Sequence, residues 1–261
     1  MKPRVDVDWW KDLFDETYLL TDARSVCDEN LTRMEVDFLI DTLRPGKSAP
    51  ILDMCGGQGR HSLELSSRGF SNVTVLDYSH CLIELGKQRA EKEELNTSFI
   101  KGDARETGLR SKSFHFIIIM ASSFGYFADE DENKKILSEA FRLLMSGGVL
   151  LLDLPNRNYV LENFKPCSSH RVNDDITVRR DRKLEHDILF SQEIVMSEKK
   201  GCIRDKGYLT RLYSREKISS LIYSADFSSV TCTKDFMNRD GKGDFGNMSN
   251  RMVVVAKKGA G

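Results

Sequence analysis

Short apolar runs alternate with longer amphipathic stretches through the first 155 residues of the chain. The apolar runs predict buried strands, and the stretches between them predict helices, because their apolar residues recur every three to four positions. The predicted strands lie at 51–52, 73–76, 97–101, 114–120 and 149–154. Strands and helices that alternate in this way are typical of an α/β protein with a parallel sheet.

The pattern changes between residues 156 and 213, where one crossover helix would suffice to connect two strands. Apolar and polar residues alternate in three stretches there, which include Ile176 and Val178, then Ile188, Phe190, Ile194 and Met196, then residues 208–213. This alternation is typical of half-buried antiparallel strands. We therefore expect a small antiparallel sheet inserted over the carboxyl edge of the core.

After the insertion, a helix from Ser214 and strands at 229–236 and 252–257 resume the core pattern, with a loop rich in glycine and asparagine between the strands. These changes divide the chain into four parts: an N-terminal helical cover (1–48), an α/β core (49–155), an inserted lid sheet (156–213), and the completion of the core (214–258).

Two helices are predicted ahead of the first strand. The first, over residues 8–20, places a set of large apolar residues on one face: Trp9, Trp10, Leu13, Phe14 and Tyr18. The second ends at Pro45-Gly46. The aromatic face has to pack on something, and both plain core packing and a cover over a cleft would bury it.

The composition argues against several classes of protein. The 261 residues are 40% hydrophobic and 30% charged, with a net charge of −1, so no general attraction to nucleic acid or to anionic membranes is expected. The N-terminus is too polar for a signal peptide, and no apolar run is long enough to span a membrane. Six cysteines without a C-x-x-C pair argue against a zinc site or a disulfide framework, and favour the reducing cytoplasm.

Residues 51–69, ILDMCGGQGRHSLELSSRG, predict a strand, a sharp glycine turn and a helix whose free N–H groups face a ligand. A dinucleotide fingerprint would require a third glycine where Ser62 stands, and a P-loop would require a lysine that is absent. What remains is an acid at the strand end, Asp53, followed by small residues two, four and six positions later: Cys55, Gly57 and Gly59.

This pattern resembles motif I of the class I S-adenosylmethionine-dependent methyltransferases, which usually has glycine at all three small positions. Cys55 departs from the usual form, although the family tolerates small residues there. The resemblance covers about residues 30–258. It implies a Rossmann-like α/β fold with a seven-stranded sheet and helices on both faces, to which the small antiparallel sheet is added. It also implies S-adenosylmethionine as the cofactor, whose ammonium and sulfonium groups suit an acidic residue.

Acids also follow the next two strands. Asp77 lies 24 residues after Asp53, where a carboxylate accepts the two ribose hydroxyls. The resemblance places the adenine at Asp103 and Ala104. Together the implied cofactor-binding residues are Asp53, Cys55, Gly57, Gly59, Asp77, Tyr78, Asp103, Ala104 and Met120.

Methyl transfer from a sulfonium is an in-line displacement, which needs a general base only if the acceptor must lose a proton. No motif identifies a catalytic residue. The residues predicted to line the substrate are Ser123 and Tyr126 after the fourth strand, Arg211 and Tyr213 at the end of the insertion, and Tyr18 in the N-terminal segment.

Two other features favour structural roles. His115, just before a buried run, is interpreted as structural or exposed. The basic cluster of residues 179–183 (RRDRK) is interpreted as a solvated face, and a patch for an acidic substrate is the alternative.

The interpretation is a methyltransferase that acts on nitrogen or oxygen of a small molecule, releases S-adenosylhomocysteine and uses no metal. The 122–127 loop and the inserted sheet resemble small-molecule N- and O-methyltransferases, including sugar N,N-dimethyltransferases. One alternative is an RNA or protein methyltransferase, against which stand the lack of an Asn-Pro-Pro-Tyr type motif and of a basic stripe. Another is a regulatory protein that binds the cofactor without transferring its methyl. No nucleic-acid or membrane partner is expected, and a homodimer stays open.

Overall fold

The computed structural model describes residues 3–236 and 249–260, so most of the predicted loop between the last two strands lies outside the described residues. The strands are β1 (Ile51–Met54), β2 (Val73–Asp77), β3 (Thr97–Lys101), β4 (Phe114–Ile119), β5 (Leu144–Pro155), β6 (Cys167–Arg171), β7 (Ile176–Glu185), β8 (Ile188–Ser197), β9 (Gly201–Arg211), β10 (Ser229–Phe236) and β11 (Arg251–Lys257). The helices are α1 (Glu16–Thr21), α2 (Ala23–Val26), α3 (Glu29–Leu43), α4 (Arg60–Ser67), α5 (His80–Lys92), α6 (Glu130–Leu143), α7 (Arg157–Glu162) and α8 (Arg215–Tyr223).

The main sheet has seven strands in the order β10-β11-β5-β4-β1-β2-β3. Strands β1 to β5 run parallel, and β11 pairs antiparallel with both β5 and β10. The predicted fold class is confirmed. Because the chain turns from one half of the sheet to the other between β1 and β4, the carboxyl ends of these strands leave a crevice suited to a ligand.

Helices cover both faces of this sheet. On one face, Leu137 of α6 and Ile218 of α8 pack with Leu152 of β5 in a buried cluster. On the other face, Val36 of α3 and Leu65 of α4 pack in a second cluster around β1 and β11. The parallel strands are therefore buried on both sides, which explains why they read as continuous apolar runs. Within the described part of the chain, no helix has the length and apolarity needed to cross a membrane.

The single helix predicted over residues 8–20 is wrong. Trp9–Lys11 forms one 3₁₀ turn, and α1 begins only at Glu16. The break comes at Asp15, whose backbone is extended and whose carboxylate accepts the N–H of Tyr18 at 3.1 Å. An aspartate at this position ends one segment and starts a new helix, because its side chain satisfies a free N–H of the first turn.

The inserted sheet is present with strand order β6-β7-β8-β9, and its first strand, β6, was not predicted. The apolar face predicted for β8 is only partly correct. Phe190 on that face is buried, but Met196 is 42% exposed, whereas Glu193 and Val195 are buried. Charge explains the difference, because the buried carboxylate of Glu193 binds two arginines, Arg180 at 2.7 Å and Arg204 at 3.3 Å.

The basic cluster of residues 179–183 therefore does not lie wholly in solvent. Arg180 is only 4% exposed and also binds Asp22 of the N-terminal segment at 2.9 Å. Two further ion pairs join the same segment to β9, Asp15 with Arg204 and Asp12 with Lys206. The N-terminal segment (residues 3–22) is thus attached to the inserted sheet.

Candidate active site

A cleft opens at the carboxyl edge of the main sheet, and its volume is about 1010 Å³ with the space at its open mouth included. Of the nine predicted cofactor-binding residues, eight line the cleft: Asp53, Cys55, Gly57, Asp77, Tyr78, Asp103, Ala104 and Met120. The structure brings them together at one site, and their cofactor role stays a prediction.

The turn after β1 depends on left-handed backbone. Cys55, Gly57 and Gly59 have φ angles of 60°, 58° and 73°, a region that favours glycine. Cys55 adopts this left-handed backbone although it has a side chain, so its departure from the glycine of the family pattern carries some steric strain. Gly56 was not predicted as a site residue. A Cβ atom there would lie 2.7 Å from Cγ of Asp53, so only glycine lets the turn pack against this acid.

Gly59 serves packing behind the cleft. A Cβ atom on Gly59 would lie 2.8 Å from the ring of Phe99 and 3.0 Å from Val75. Gly86 of α5 faces the same ring, which would clash with a Cβ atom at that position. These glycines let α4 and α5 approach the sheet closely, and neither of them lines the cleft.

Asp53 is fully buried at the end of the cleft beside this turn. Its Oδ2 accepts a hydrogen bond from Ser62 at 2.9 Å, and its Oδ1 has no partner in the protein. Burial raises the pKa of Asp53 to about 7, although the Ser62 hydrogen bond and Arg60 act in the opposite direction. A buried acceptor without a partner is costly, so a donor from a ligand is the expected complement.

Asp77 is held in place by the backbone. Its two carboxylate oxygens accept the N–H groups of Gly57 at 2.7 Å and of Ser79 at 2.8 Å. Burial raises the pKa of Asp77, and these hydrogen bonds oppose that effect. A carboxylate can accept about four hydrogen bonds. Two acceptor positions therefore remain for a pair of vicinal hydroxyls.

Asp103 has a strong partner that the sequence did not indicate. Arg105 donates to it from Nη2 at 2.6 Å and from Nε at 3.0 Å, and its backbone N–H adds a bond of 2.9 Å. Burial opposes ionisation, but the hydrogen bonds and charge of Arg105 outweigh it and lower the pKa of Asp103. An adenine amine would have to share this carboxylate with Arg105.

Aromatic rings from the N-terminal segment cover the cleft in two places. Trp10 meets Tyr78 edge-on at 4.6 Å between ring centroids, and the Arg105 guanidinium lies 4.9 Å from the Trp10 ring. Farther along, Phe14 stacks on Tyr126 at 5.5 Å and meets Tyr18 at 5.0 Å. The first contact lies near Asp103, and the second forms an aromatic wall of Phe14, Tyr18 and Tyr126, which we call the chamber.

Comparison with known proteins agrees with this geometry. Residues 51–148 match a family model described as "Methyltransferase domain". They form a class I methyltransferase domain. The resemblance seen in the glycine turn is thereby confirmed.

The methyltransferase domain has relatives that differ in the acceptor their names state. A glycine/sarcosine N-methyltransferase from Aphanothece halophytica is 27% identical over 50% of this chain and 50% of its own. A ubiquinone/menaquinone biosynthesis C-methyltransferase from Bradyrhizobium is 36% identical over 46% of this chain and 49% of its own. The chain thus spans about half the length of the curated relatives it matches.

A solved structure extends the similarity of fold beyond the methyltransferase domain. An amino pentose methyltransferase from Micromonospora echinaspora, solved with S-adenosylmethionine bound, has a TM-score of 0.67 at 17% identity. The match covers 95% of this chain and 99% of that one. At this level of identity the likeness establishes the fold alone.

The predicted substrate-lining residues separate into two groups. Tyr18, Ser123 and Tyr126 line the cleft of the methyltransferase domain. Arg211 and Tyr213 are placed elsewhere, since Arg211 donates to the backbone oxygen of Ala128 and the buried Tyr213 packs in the main core. The alternation that placed Arg211 and Tyr213 on one face fails, because β9 ends at Arg211.

A buried layer behind the cleft was not predicted. Glu35 of α3, fully buried, binds Arg60 at 2.5 Å and His61 at 2.9 Å, and both of these residues line the cleft. Arg251 of β11 reaches Glu35 from the other side and also binds Asp153. Helical spacing gave no signal for Glu35, because its partners lie more than 20 residues away.

This layer also supports the loop after β4. Ala121 and Ser122 both have positive φ, 56° and 59°, which is strained for residues with a side chain. The N–H of Ala121 donates to the buried carboxylate of Asp153 at 2.8 Å. The bond fixes the turn that carries Ser123 and Tyr126 to the cleft of the methyltransferase domain.

The contacts of the N-terminal segment predict its response to ligand. Because Trp10, Phe14 and Tyr18 line the cleft, S-adenosylhomocysteine should slow backbone hydrogen exchange over residues 8–32. Exchange in α8, away from the cleft, serves as the internal reference and should not change. Equal exchange over residues 8–32 with and without ligand would show that the segment does not respond to ligand and serves only in packing.

Proposed function

We propose that this protein transfers a methyl group from S-adenosylmethionine to an amine of a small molecule. The observation that carries the proposal is the lining of the cleft. It combines acids at the ends of three successive strands with aromatic rings that carry uncharged hydroxyls.

The described residues fit the cofactor. Asp77 has two acceptor positions left for the ribose hydroxyls, and Oδ1 of Asp53 lacks a donor that an ammonium would supply. Gly56 and Gly57 keep the turn free of side chains where a ligand has to approach. Asp103 and Ala104 would hold the adenine. When bound, the cofactor supplies a methyl group that is already activated by its sulfonium.

The chamber favours nitrogen over oxygen as the acceptor. A hydroxyl acceptor has to lose a proton to a base during the reaction. Burial raises the pKa of Tyr18, of Tyr126 and of the Cys55 thiol, so these groups stay protonated near neutral pH. A buried amine, in contrast, has its own pKa lowered by the apolar walls, and its neutral form is nucleophilic without a base.

The residues of the chain then act mainly by orientation and exclusion of water. Phe14, Tyr18 and Tyr126 wall the chamber, and aromatic faces also stabilise the positive charge that develops on a methylated nitrogen. Ser123 forms a side-chain hydrogen bond with Tyr126. The names of two relatives, a glycine/sarcosine N-methyltransferase and an amino pentose methyltransferase, agree with an amino acceptor.

A matched panel tests the acceptor class. Pairs of small molecules that differ only in an amino or a hydroxyl group would be incubated with the protein and with S-adenosylmethionine carrying a deuterated methyl. The proposal predicts labelled products, detected by mass, from amines and not from their hydroxyl partners. Labelled products from the hydroxyl members alone would contradict the amine assignment. Ligand binding with no transfer to any compound would favour a regulatory role.

A further inference from the structure

Helix α1 lies between the cleft and the inserted sheet. Its Tyr18 lines the cleft, whereas Leu20 packs against Val178 and Val195, two buried residues of the inserted sheet. A helix of six residues gains little stability from its own hydrogen bonds, so its position has to come from the surfaces on which it packs. The inserted sheet therefore helps to fix the place of Tyr18 in the cleft.

Two ion pairs attach this helix to the inserted sheet, one at each end. Asp15, whose carboxylate caps the start of α1, binds Arg204 of β9. Asp22, which directly follows α1, binds Arg180 of β7 at 2.9 Å. The helix that carries Tyr18 is thus held from both ends by arginines of the inserted sheet.

The two arginines are themselves held within the sheet. Glu193 of β8, the strand between β7 and β9, binds Arg180 at 2.7 Å and Arg204 at 3.3 Å. All three side chains are buried, with exposed fractions of 3–5%. Removing one partner of a buried ion pair is costly, so this group, which we call the arginine cluster, strongly favours the attached position of α1.

The N-terminal segment is also held by the methyltransferase domain. Phe14 stacks on Tyr126, with their ring planes 17° apart, and meets Tyr18 nearly at a right angle. The hydroxyl of Ser79 donates to the backbone oxygen of Phe14 at 2.6 Å. The chamber therefore depends on two attachments, one from the core at Phe14 and one from the arginine cluster at α1.

We propose that Arg180 and Arg204 are positioning residues for the methyl acceptor. Neither of them lines the cleft, so they act through Asp22 and Asp15, which keep the rings of the N-terminal segment in the chamber wall. The inference rests on the proposed function, since it takes the chamber as the place where the acceptor binds. It assigns a role in transfer to the inserted sheet, which supplies no residue of the cleft lining.

The double variant Asp15→Asn/Asp22→Asn tests this role. Asparagine caps a helix as well as aspartate does, but it offers no negative charge to the arginines. The matched control is Asp6→Asn/Glu16→Gln, which removes two negative charges from exposed positions of the same segment. Both single variants are measured as well, because each keeps one of the two ion pairs and with it more of the stability of the fold.

Tryptophan fluorescence reports on the segment directly. The two tryptophans of the chain, Trp9 and Trp10, both lie in the N-terminal segment and are buried. Acrylamide should quench them more strongly in the double variant, and backbone hydrogen exchange over residues 8–22 should be faster than in the wild type. The control should match the wild type in both measurements. Wild-type quenching and exchange in the double variant would overturn the proposal.

Kinetics separate positioning from a general loss of structure. With an amine that the wild type methylates, the double variant should show a higher KM for that amine and a kcat/KM lower by about tenfold or more. Its affinity for S-adenosylhomocysteine, measured by calorimetry, should change by no more than about threefold, which also reports that the variant is folded. A lower kcat with an unchanged KM for the amine, or an equal loss of S-adenosylhomocysteine affinity, would contradict positioning.

The results for the wild type distinguish the two proposals. A wild type that methylates no amine refutes the proposed function, and the arginine cluster then has no acceptor to position. Failure of the positioning role alone leaves transfer to the amine intact in the wild type, with the double variant transferring the methyl group equally well.

Discussion

Replacing Asp77 with alanine is expected to weaken binding of S-adenosylmethionine by roughly tenfold to several hundredfold. The carboxylate accepts two backbone N–H groups and has two acceptor positions left for the ribose hydroxyls. A total loss of about 1.5–3 kcal/mol, the contribution of a hydrogen bond to a charged group, corresponds to this range, because every 1.4 kcal/mol is a factor of about ten in affinity. Titration calorimetry gives the affinity directly.

Asp41→Ala is the control, because Asp41 is exposed on α3 and makes none of these contacts. Asp77→Asn separates two effects, since the amide oxygen can still accept one backbone N–H while the charge is lost. We expect its affinity to lie between those of the wild type and the alanine variant. Wild-type affinity in Asp77→Ala would show that the ribose does not bind at this carboxylate.

Replacing Asp53 with asparagine is expected to raise the stability of the free protein and to weaken the binding of the cofactor. Burial raises the pKa of Asp53 to about 7, so between pH 4 and 7 the folded state keeps a proton that the unfolded state releases. The free energy of unfolding therefore falls as pH rises through this range. At pH 8 the ionised group should cost the folded state on the order of 2–4 kcal/mol.

The asparagine side chain of the Asp53→Asn variant carries no charge at any of these pH values, so the advantage of the variant should grow from pH 5 to pH 8. A gain of a few kcal/mol corresponds to a rise in melting temperature of roughly 5 °C or more for a chain of this size. Melting curves at the two pH values, with Asp41→Asn as the control, measure the effect. A variant that is less stable than the wild type at pH 8 would contradict an unpartnered Asp53.

The sequence predicted the part of the site that depends on strand ends. Asp53, Asp77 and Asp103 each follow an apolar run, and parallel topology alone brings their carboxylates to one edge. The glycine turn could also be predicted, because Gly57 and Gly59 supply the positive φ angles that the turn needs. Such features depend on a few neighbouring residues, and a single sequence contains them.

What the sequence did not predict depends on contacts between distant segments. Glu35 meets Arg60 across 25 positions and Arg251 across 216, and no periodicity links them. Arg180 was predicted to be solvated because its neighbours are basic, yet its side chain is buried and forms ion pairs with Asp22 and Glu193. Likewise Arg211 and Tyr213 were predicted to lie on one face of a strand, but β9 ends at Arg211, so the strand alternation does not continue to Tyr213.

A crystal structure of the protein with S-adenosylhomocysteine would test the central claim most directly. We expect the ribose at Asp77, the ammonium of the amino-acid end at Asp53, and the sulfur facing the chamber of Phe14, Tyr18 and Tyr126. Ligand bound with its adenosine away from Asp77, or a cleft without ligand at saturating concentration, would contradict it.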